Sequence, residues 1–143
     1  MINMVRIIGG AEGTGKTQKL IELANKENSS EKGIQVYIDS DLNHSREIMT
    51  QIRFISTSEF HIDSSSMFFG FICGLIAGNY DITKVYIDDI LEILKVEEDE
   101  TAIAFLDQLE AFAKEYEVEV TLTLGSDDPD EVALLKKYDY IEA

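Results

Sequence analysis

Val5-Arg6-Ile7-Ile8-Gly9-Gly10-Ala11-Glu12-Gly13-Thr14-Gly15-Lys16-Thr17 is the stretch that decides the fold. Its first four residues read as a short apolar strand that runs into glycines. From Gly15 to Lys26 the apolar residues Leu20, Ile21, Leu23 and Ala24 recur at helical spacing. A strand, a glycine-rich turn and a helix therefore follow one another without a linker. The turn, Gly10 to Thr17, has the spacing G-x-x-x-x-G-K-[ST], and each position has a physical use. Glycines admit backbone conformations that side chains forbid. Successive N–H groups can then turn inward around an anion. The helix beginning near Gly15 aims the positive end of its dipole at the same place. Lys16 adds a mobile point charge, and the Thr17 hydroxyl can ligate Mg²⁺. Together with Gln18, these residues form the candidate nucleotide-binding set: Gly10, Ala11, Glu12, Gly13, Thr14, Gly15, Lys16, Thr17 and Gln18.

Outward from this stretch, strands alternate with helices. Asn28-Ser29-Ser30 and Gly33 end the first helix, and Ile34 to Ile38 forms a second strand. Leu42, Ile48, Met49 and Ile52 suggest a second helix capped by Asp41, which would carry Arg46 and Arg53 nearly on one face. Phe54-Ile55 fits a short strand or a loop. Ser64 to Asn79 reads as a buried helix with Gly70, Gly74 and Gly78 on one face. That small-residue face would let a sheet, another helix or a second copy approach closely. Val85-Tyr86-Ile87 is a third strand. The acidic run 97–100 leads as a solvated entrance into an amphipathic helix built on Ala102, Phe105, Leu106, Leu109 and Phe112. Val118 to Leu124 alternates as a fourth strand. Asp128-Pro129 caps a last helix reaching about Lys137, and Tyr138 to Ile141 gives a fifth strand. The expectation is one domain over 1–143, an α/β three-layer sandwich around a parallel five-stranded sheet.

Composition narrows the functions. Among 143 residues, 12 Lys+Arg stand against 28 Asp+Glu, a formal charge of −16. Nucleic-acid backbones and anionic membranes need dense basic residues, so neither is expected as the main partner. One cysteine, Cys73, can form neither an internal disulfide nor a cysteine-rich zinc site, which fits a reducing cytoplasm. It reads, like Phe68, Phe69 and Phe71, as a core residue. The most apolar run, Met67 to Ala77, is about half the ~20 residues a membrane span requires. No leader is visible, and a cytoplasmic protein is expected.

A second element supports nucleotide chemistry. Val85-Tyr86-Ile87-Asp88-Asp89 is an apolar run ending in acids, where Asp88 could hold the Mg²⁺ shell. With the phosphate-loop motif, it makes the chain resemble a small P-loop NTPase of the RecA-like, additional-strand type. It is also similar to short bacterial proteins labelled twitching-motility ATPases. The resemblance rests on element order over nearly the whole length. It implies the P-loop architecture with strand order 5-1-4-3-2 and ATP, or another nucleoside triphosphate, with Mg²⁺. Lys16 and Asp89 would be catalytic, Thr17 and Asp88 metal-binding. It also implies a polar sensor near the end of the fourth strand, for which Thr123 and Ser126 are candidates.

Elimination shapes the functional expectation. Asn25-Lys26-Glu27-Asn28 lacks the final Asp of a guanine-reading motif and lies at a helix end, and no LSGGQ-like signature occurs. Arg6, Arg46 and Arg53 are few for a kinase lid, and one Cys with His44 and His61 cannot build the zinc lasso of thymidine-kinase-like enzymes. His44 or Asp41, which follow the second strand close to Asp39, could touch a substrate. The expectation is an ATP-Mg binding protein, a slow or regulatory ATPase acting through a protein partner or as a homodimer. A small-molecule or nucleoside kinase, and a binding module without turnover, are the alternatives.

Overall fold

The computed structural model describes residues 3–28, 33–95, 100–126 and 128–143. Ser29 and Ser30, expected to end the first helix, and most of the acidic run, 97–99, lie outside them. The elements in chain order begin with β1 (Val5–Gly10), α1 (Lys16–Asn28), β2 (Ile34–Asp39) and β3 (Arg53–Ser56). There follow α2 (Ser65–Gly78), β4 (Ile82–Ile87), α3 (Ile90–Leu94) and α4 (Glu100–Tyr116). The chain continues with β5 (Glu119–Gly125), α5 (Pro129–Leu135) and β6 (Asp139–Glu142).

The strands form one six-stranded sheet in the order β3-β2-β4-β5-β1-β6. Every pairing is parallel. This corrects the expected five strands and the order 5-1-4-3-2. The cause is the Phe54-Ile55 segment, which pairs with β2 through Tyr37↔Phe54 and Ile38↔Ile55 and becomes the outer strand. It stays in the sheet because Phe54 stacks on Tyr37, ring centroids 5.6 Å apart, and Ile55 is buried.

Two apolar layers sandwich the sheet. On one face Val5, Ile7, Val36, Ile38, Val85 and Ile87 pack under residues of α2, α3, α4 and α5. On the other, Ile8, Tyr37 and Tyr86 meet Leu20, Ile21 and Ala24 of α1, with Ile48 and Ile52 beside them. Successive side chains point to opposite faces and so feed the two layers in turn, which leaves β2, β4 and β5 buried almost throughout. A parallel sheet covered in this way buries both its faces.

The segment after β2 departs from expectation. No α-helix follows Asp41; only a single 3₁₀ turn, Ser45–Glu47, forms. Side chains compete there for the backbone. Asp41 Oδ1 accepts from Asn43 N at 2.9 Å. Asn25 of α1 donates to the Glu47 carbonyl at 2.8 Å and accepts from Met49 N at 2.9 Å. Arg46 therefore sits in the 3₁₀ turn and Arg53 opens β3, so the two do not share a helix face.

Other expectations shift less. α2 is capped by Ser64, whose hydroxyl accepts from Met67 N at 3.2 Å. Asp128 caps α5, with Pro129 at its first position, and the helix ends at Leu135 rather than near Lys137. A Cβ added at Gly70, Gly74 or Gly78 meets no atom within 4 Å, so no described element lies over that face. Phe68 is core, Phe69 and Phe71 pack against it, and Cys73 is only half-buried. Among the described residues, no helix is long and apolar enough to cross a membrane.

Candidate phosphate-loop site

The turn between β1 and α1 has the backbone its glycines require. Gly13 has φ +85° and Gly15 φ +88°, values that side-chain-bearing residues rarely adopt. Both open onto free space, so the constraint is conformational. The Lys16 ammonium folds back across the loop, donating to the Gly10 carbonyl at 3.0 Å and the Ala11 carbonyl at 2.9 Å. Thr14 closes the loop from within by donating to the Ala11 carbonyl at 2.8 Å. The Gly10 carbonyl also accepts from Ser126 N at 3.1 Å, which ties the loop to the chain beyond β5.

A cleft of about 690 Å³ opens over this loop. Of the candidate nucleotide-binding residues, Ala11, Glu12, Gly13, Gly15, Lys16, Thr17 and Gln18 line it. Gly10 and Thr14 do not; they shape the loop through the bonds just given. Asp88, Asp89, Thr123 and Ser126 line the opposite wall. Residues distant in sequence thus meet at the C-terminal ends of parallel strands, where open α/β sheets bind ligands.

Hydroxyls position the acids. Asp88, at the end of β4, is 4% exposed. Its carboxylate accepts from Thr17 Oγ1 at 3.0 Å and from Thr123 Oγ1 at 2.8 Å. The Thr123 hydroxyl oxygen in turn accepts from Asp89 N at 2.6 Å. Thr123 therefore bridges the two acids. Asp89 adopts a left-handed backbone (φ 59°) and caps α3, accepting from Glu92 N at 3.4 Å. Burial, reinforced by the nearby Asp88 charge, raises its proton affinity above the ordinary carboxylate range.

A third acid at a strand end, noted from the sequence only as a neighbour of His44, is Asp39. This residue ends β2, next to the strand that carries Asp88, and it is 4% exposed. Its Oδ1 accepts from Ser40 N at 2.6 Å, while its Oδ2 is buried with no hydrogen-bond partner. Burial, then the Asp88 charge, pushes its pKa up to about 6. The signal was present in the sequence: Ile34-Gln35-Val36-Tyr37-Ile38-Asp39 is also a strand ending in an acid. His44 does not reach the cleft wall. Its ring pairs with Glu47 at 2.5 Å, which raises its pKa, and Glu47 also accepts from Gln18 at 3.3 Å.

The donor set suits a hard divalent cation. Asp88 offers a buried carboxylate and Thr17 a hydroxyl within 3.0 Å of it, both oxygen ligands. No protein-family model matches this chain, and no curated protein matches it in sequence.

Proposed function

We propose that the chain binds a nucleoside triphosphate, ATP by elimination, together with Mg²⁺ on the loop Gly10–Thr17. On this reading it is a slow or regulatory ATPase whose output is a contact with a protein partner. One observation carries the reading. Thr17, in the first turn of α1, and Asp88, at the end of β4, meet at 3.0 Å beside the loop lysine. A glycine-rich turn with an incidental lysine does not call for a buried acid at that point.

The roles follow from the geometry. The loop N–H groups and the α1 N-terminus would hold the phosphates. Lys16 would exchange the Gly10 and Ala11 carbonyls for phosphate oxygens. Thr17 and Asp88 would hold Mg²⁺, which supplies charge neutralisation on the transferred phosphoryl group. In hydrolysis, water adds to the terminal phosphorus and the bond to the leaving diphosphate oxygen breaks. The water proton needs an acceptor, and Asp89 lines the cleft with a raised proton affinity. Thr123 would keep Asp88 and Asp89 in register. Asp39 ends the neighbouring strand, where burial and the Asp88 charge raise its proton affinity.

A binding module without turnover is the second reading. It is favoured by Asp89 itself, whose carboxylate is engaged in capping α3. Calorimetric titration with ATP and with GTP, each with Mg²⁺, tests the common part. Saturable binding of one of them, weakened about tenfold or more in Lys16→Ala, is expected. Failure of both nucleotides to bind ends the proposal. Phosphate release then separates the two readings. Asp89→Asn keeps a side chain able to cap and to tolerate a left-handed backbone. A turnover lowered about 100-fold by it supports the base role; an unchanged turnover removes that role. Nucleotide-dependent phosphorylation of an added metabolite would instead point to a kinase.

A further inference from the structure

α2 is a 14-residue surface helix, Ser65–Gly78, without a single charged side chain. That is unusual in a chain with 28 acidic and 12 basic residues. Its inner face is core: Phe68 stacks on Phe105 of α4, and Phe69 meets Phe105 and Phe112 edge-on. Its outer face is exposed through Met67, Gly70, Gly74 and Ala77, with Ala104, Gln108 and Ala111 of α4 alongside. Of these, Met67 is 46% exposed. A groove between the two helices runs past Ala77, Phe112 and Tyr116, with Tyr80 at its lip, 76% exposed. Glu115 is the charged residue that lines this groove.

We propose that this α2–α4 face is the interface between two copies of this chain. Charge selects the occupant. Two bodies that each carry −16 repel one another over most of their surfaces. They can meet without opposing like charges where the surface carries none, and α2 supplies such a face. A basic partner would find almost no counter-charge here and would be drawn to the acidic surface elsewhere. Size allows it too. A 14-residue helix is about 21 Å long, and two helices packed about 10 Å apart present a face about 20 Å on a side. That is about 400 Å², roughly half the ~800 Å² per partner of a standard interface, and the exposed Tyr80 and Tyr116 beside it enlarge the contact. An isologous contact, α2 against α2 about a two-fold axis, sets the same neutral surface on both sides. The inference does not rest on nucleotide binding.

Analytical ultracentrifugation of the full chain over a wide concentration range, at low and high salt, tests it. A concentration-dependent dimer is expected, and salt should tighten it by screening the repulsion between acidic bodies. Gly74→Glu places like charges across the two-fold axis, and should weaken association about 100-fold. A side chain at Gly74 meets no atom within 4 Å, so the subunit itself has room for it. Unchanged circular dichroism confirms that the variant folds. Should it not fold, hydrogen exchange of the wild-type chain replaces it, with added protection of 65–78 at high concentration expected. A monomer at every concentration, a dimer unaffected by Gly74→Glu, or no concentration-dependent protection of α2 overturns the proposal.

Discussion

Strands β1, β2, β4 and β5 carry polar groups at both ends on the α1 side of the sheet, and the two ends are built differently. At the N-terminal ends, Glu27 of α1 gathers cations. It accepts from Arg6 at 3.1 Å and from the Tyr86 hydroxyl at 2.6 Å, and it pairs with Lys84 at 3.4 Å. Lys84 also meets Glu119 at 2.9 Å, and Arg6 donates to Thr121 at 3.0 Å. Opposite charges are matched there. Burial works to raise the Glu27 pKa, but the bonds from Tyr86 and Arg6 outweigh it and the net shift is downward. At the C-terminal ends Asp39, Asp88 and Asp89 crowd together instead. The proton affinities of Asp39 and Asp89 are raised, and one Asp39 oxygen has no hydrogen-bond partner. The lower end is a closed network, whereas the upper end keeps its demand for positive charge open. Asp39 and Asp88 are buried and Asp89 is exposed, so the cost of desolvation falls on the first two.

The comparison can be broken most sharply at Glu27. Glu27→Ala would leave Lys84 and Arg6 partly buried with too few acceptors, at a cost of about 3 kcal/mol in urea melts at neutral pH. A loss below about 1 kcal/mol would mean that the lower network is ornamental. The sign of its pH dependence is fixed by the lowered pKa. The Glu27 contribution is present above its ordinary value of 4.5 and fades as pH falls through its lower folded value.

Asp39 should behave in the opposite sense. Its folded pKa of about 6 lies above its ordinary 3.8, so the folded chain loses stability as pH rises through that window. Asp39→Asn should therefore stabilise the metal-free protein at pH near 7.5, by at most about 3 kcal/mol, and change little near pH 4. Thermal melts with a chelator at both pH values measure this. Destabilisation at the higher pH would show that the carboxylate is satisfied after all. The smallest effect is expected at Thr123. Thr123→Val removes the hydroxyl that serves both Asp88 and Asp89 N, and should cost about 1–2 kcal/mol while leaving the sheet intact by circular dichroism.

Part of this contrast was legible in the sequence. The phosphate loop, its flanking strand and helix, and Asp88 at a strand end are local patterns, and each is set by neighbours in the chain. The amphipathic α4 and the alternation of β5 were equally plain, because one periodicity governs each. The segment after β2 was not. Leu42, Ile48, Met49 and Ile52 suggested a helical face, yet Ile48 and Ile52 are buried while Leu42 is 53% exposed. The reason lies elsewhere in the chain: Asn25 of α1 takes the backbone groups of Glu47 and Met49. The burial of Asp39 was missed for a related reason. It depends on β3, whose pairing is set by register with β2 rather than by anything within the segment itself.

The outer strand β3 has a consequence for the acids although none of its residues lines the cleft. Without it β2 would be the sheet edge, and Tyr37 and Asp39 would face water. With Phe54 stacked over Tyr37, the strand works as insulation, keeping the high-permittivity solvent away from one flank of the acids. Asp39, paired in register with Ser56 of β3, is the acid that this shielding reaches, and its carboxylate is pushed toward the neutral form. Four residues at the margin of the sheet thereby keep the end of its second strand dry.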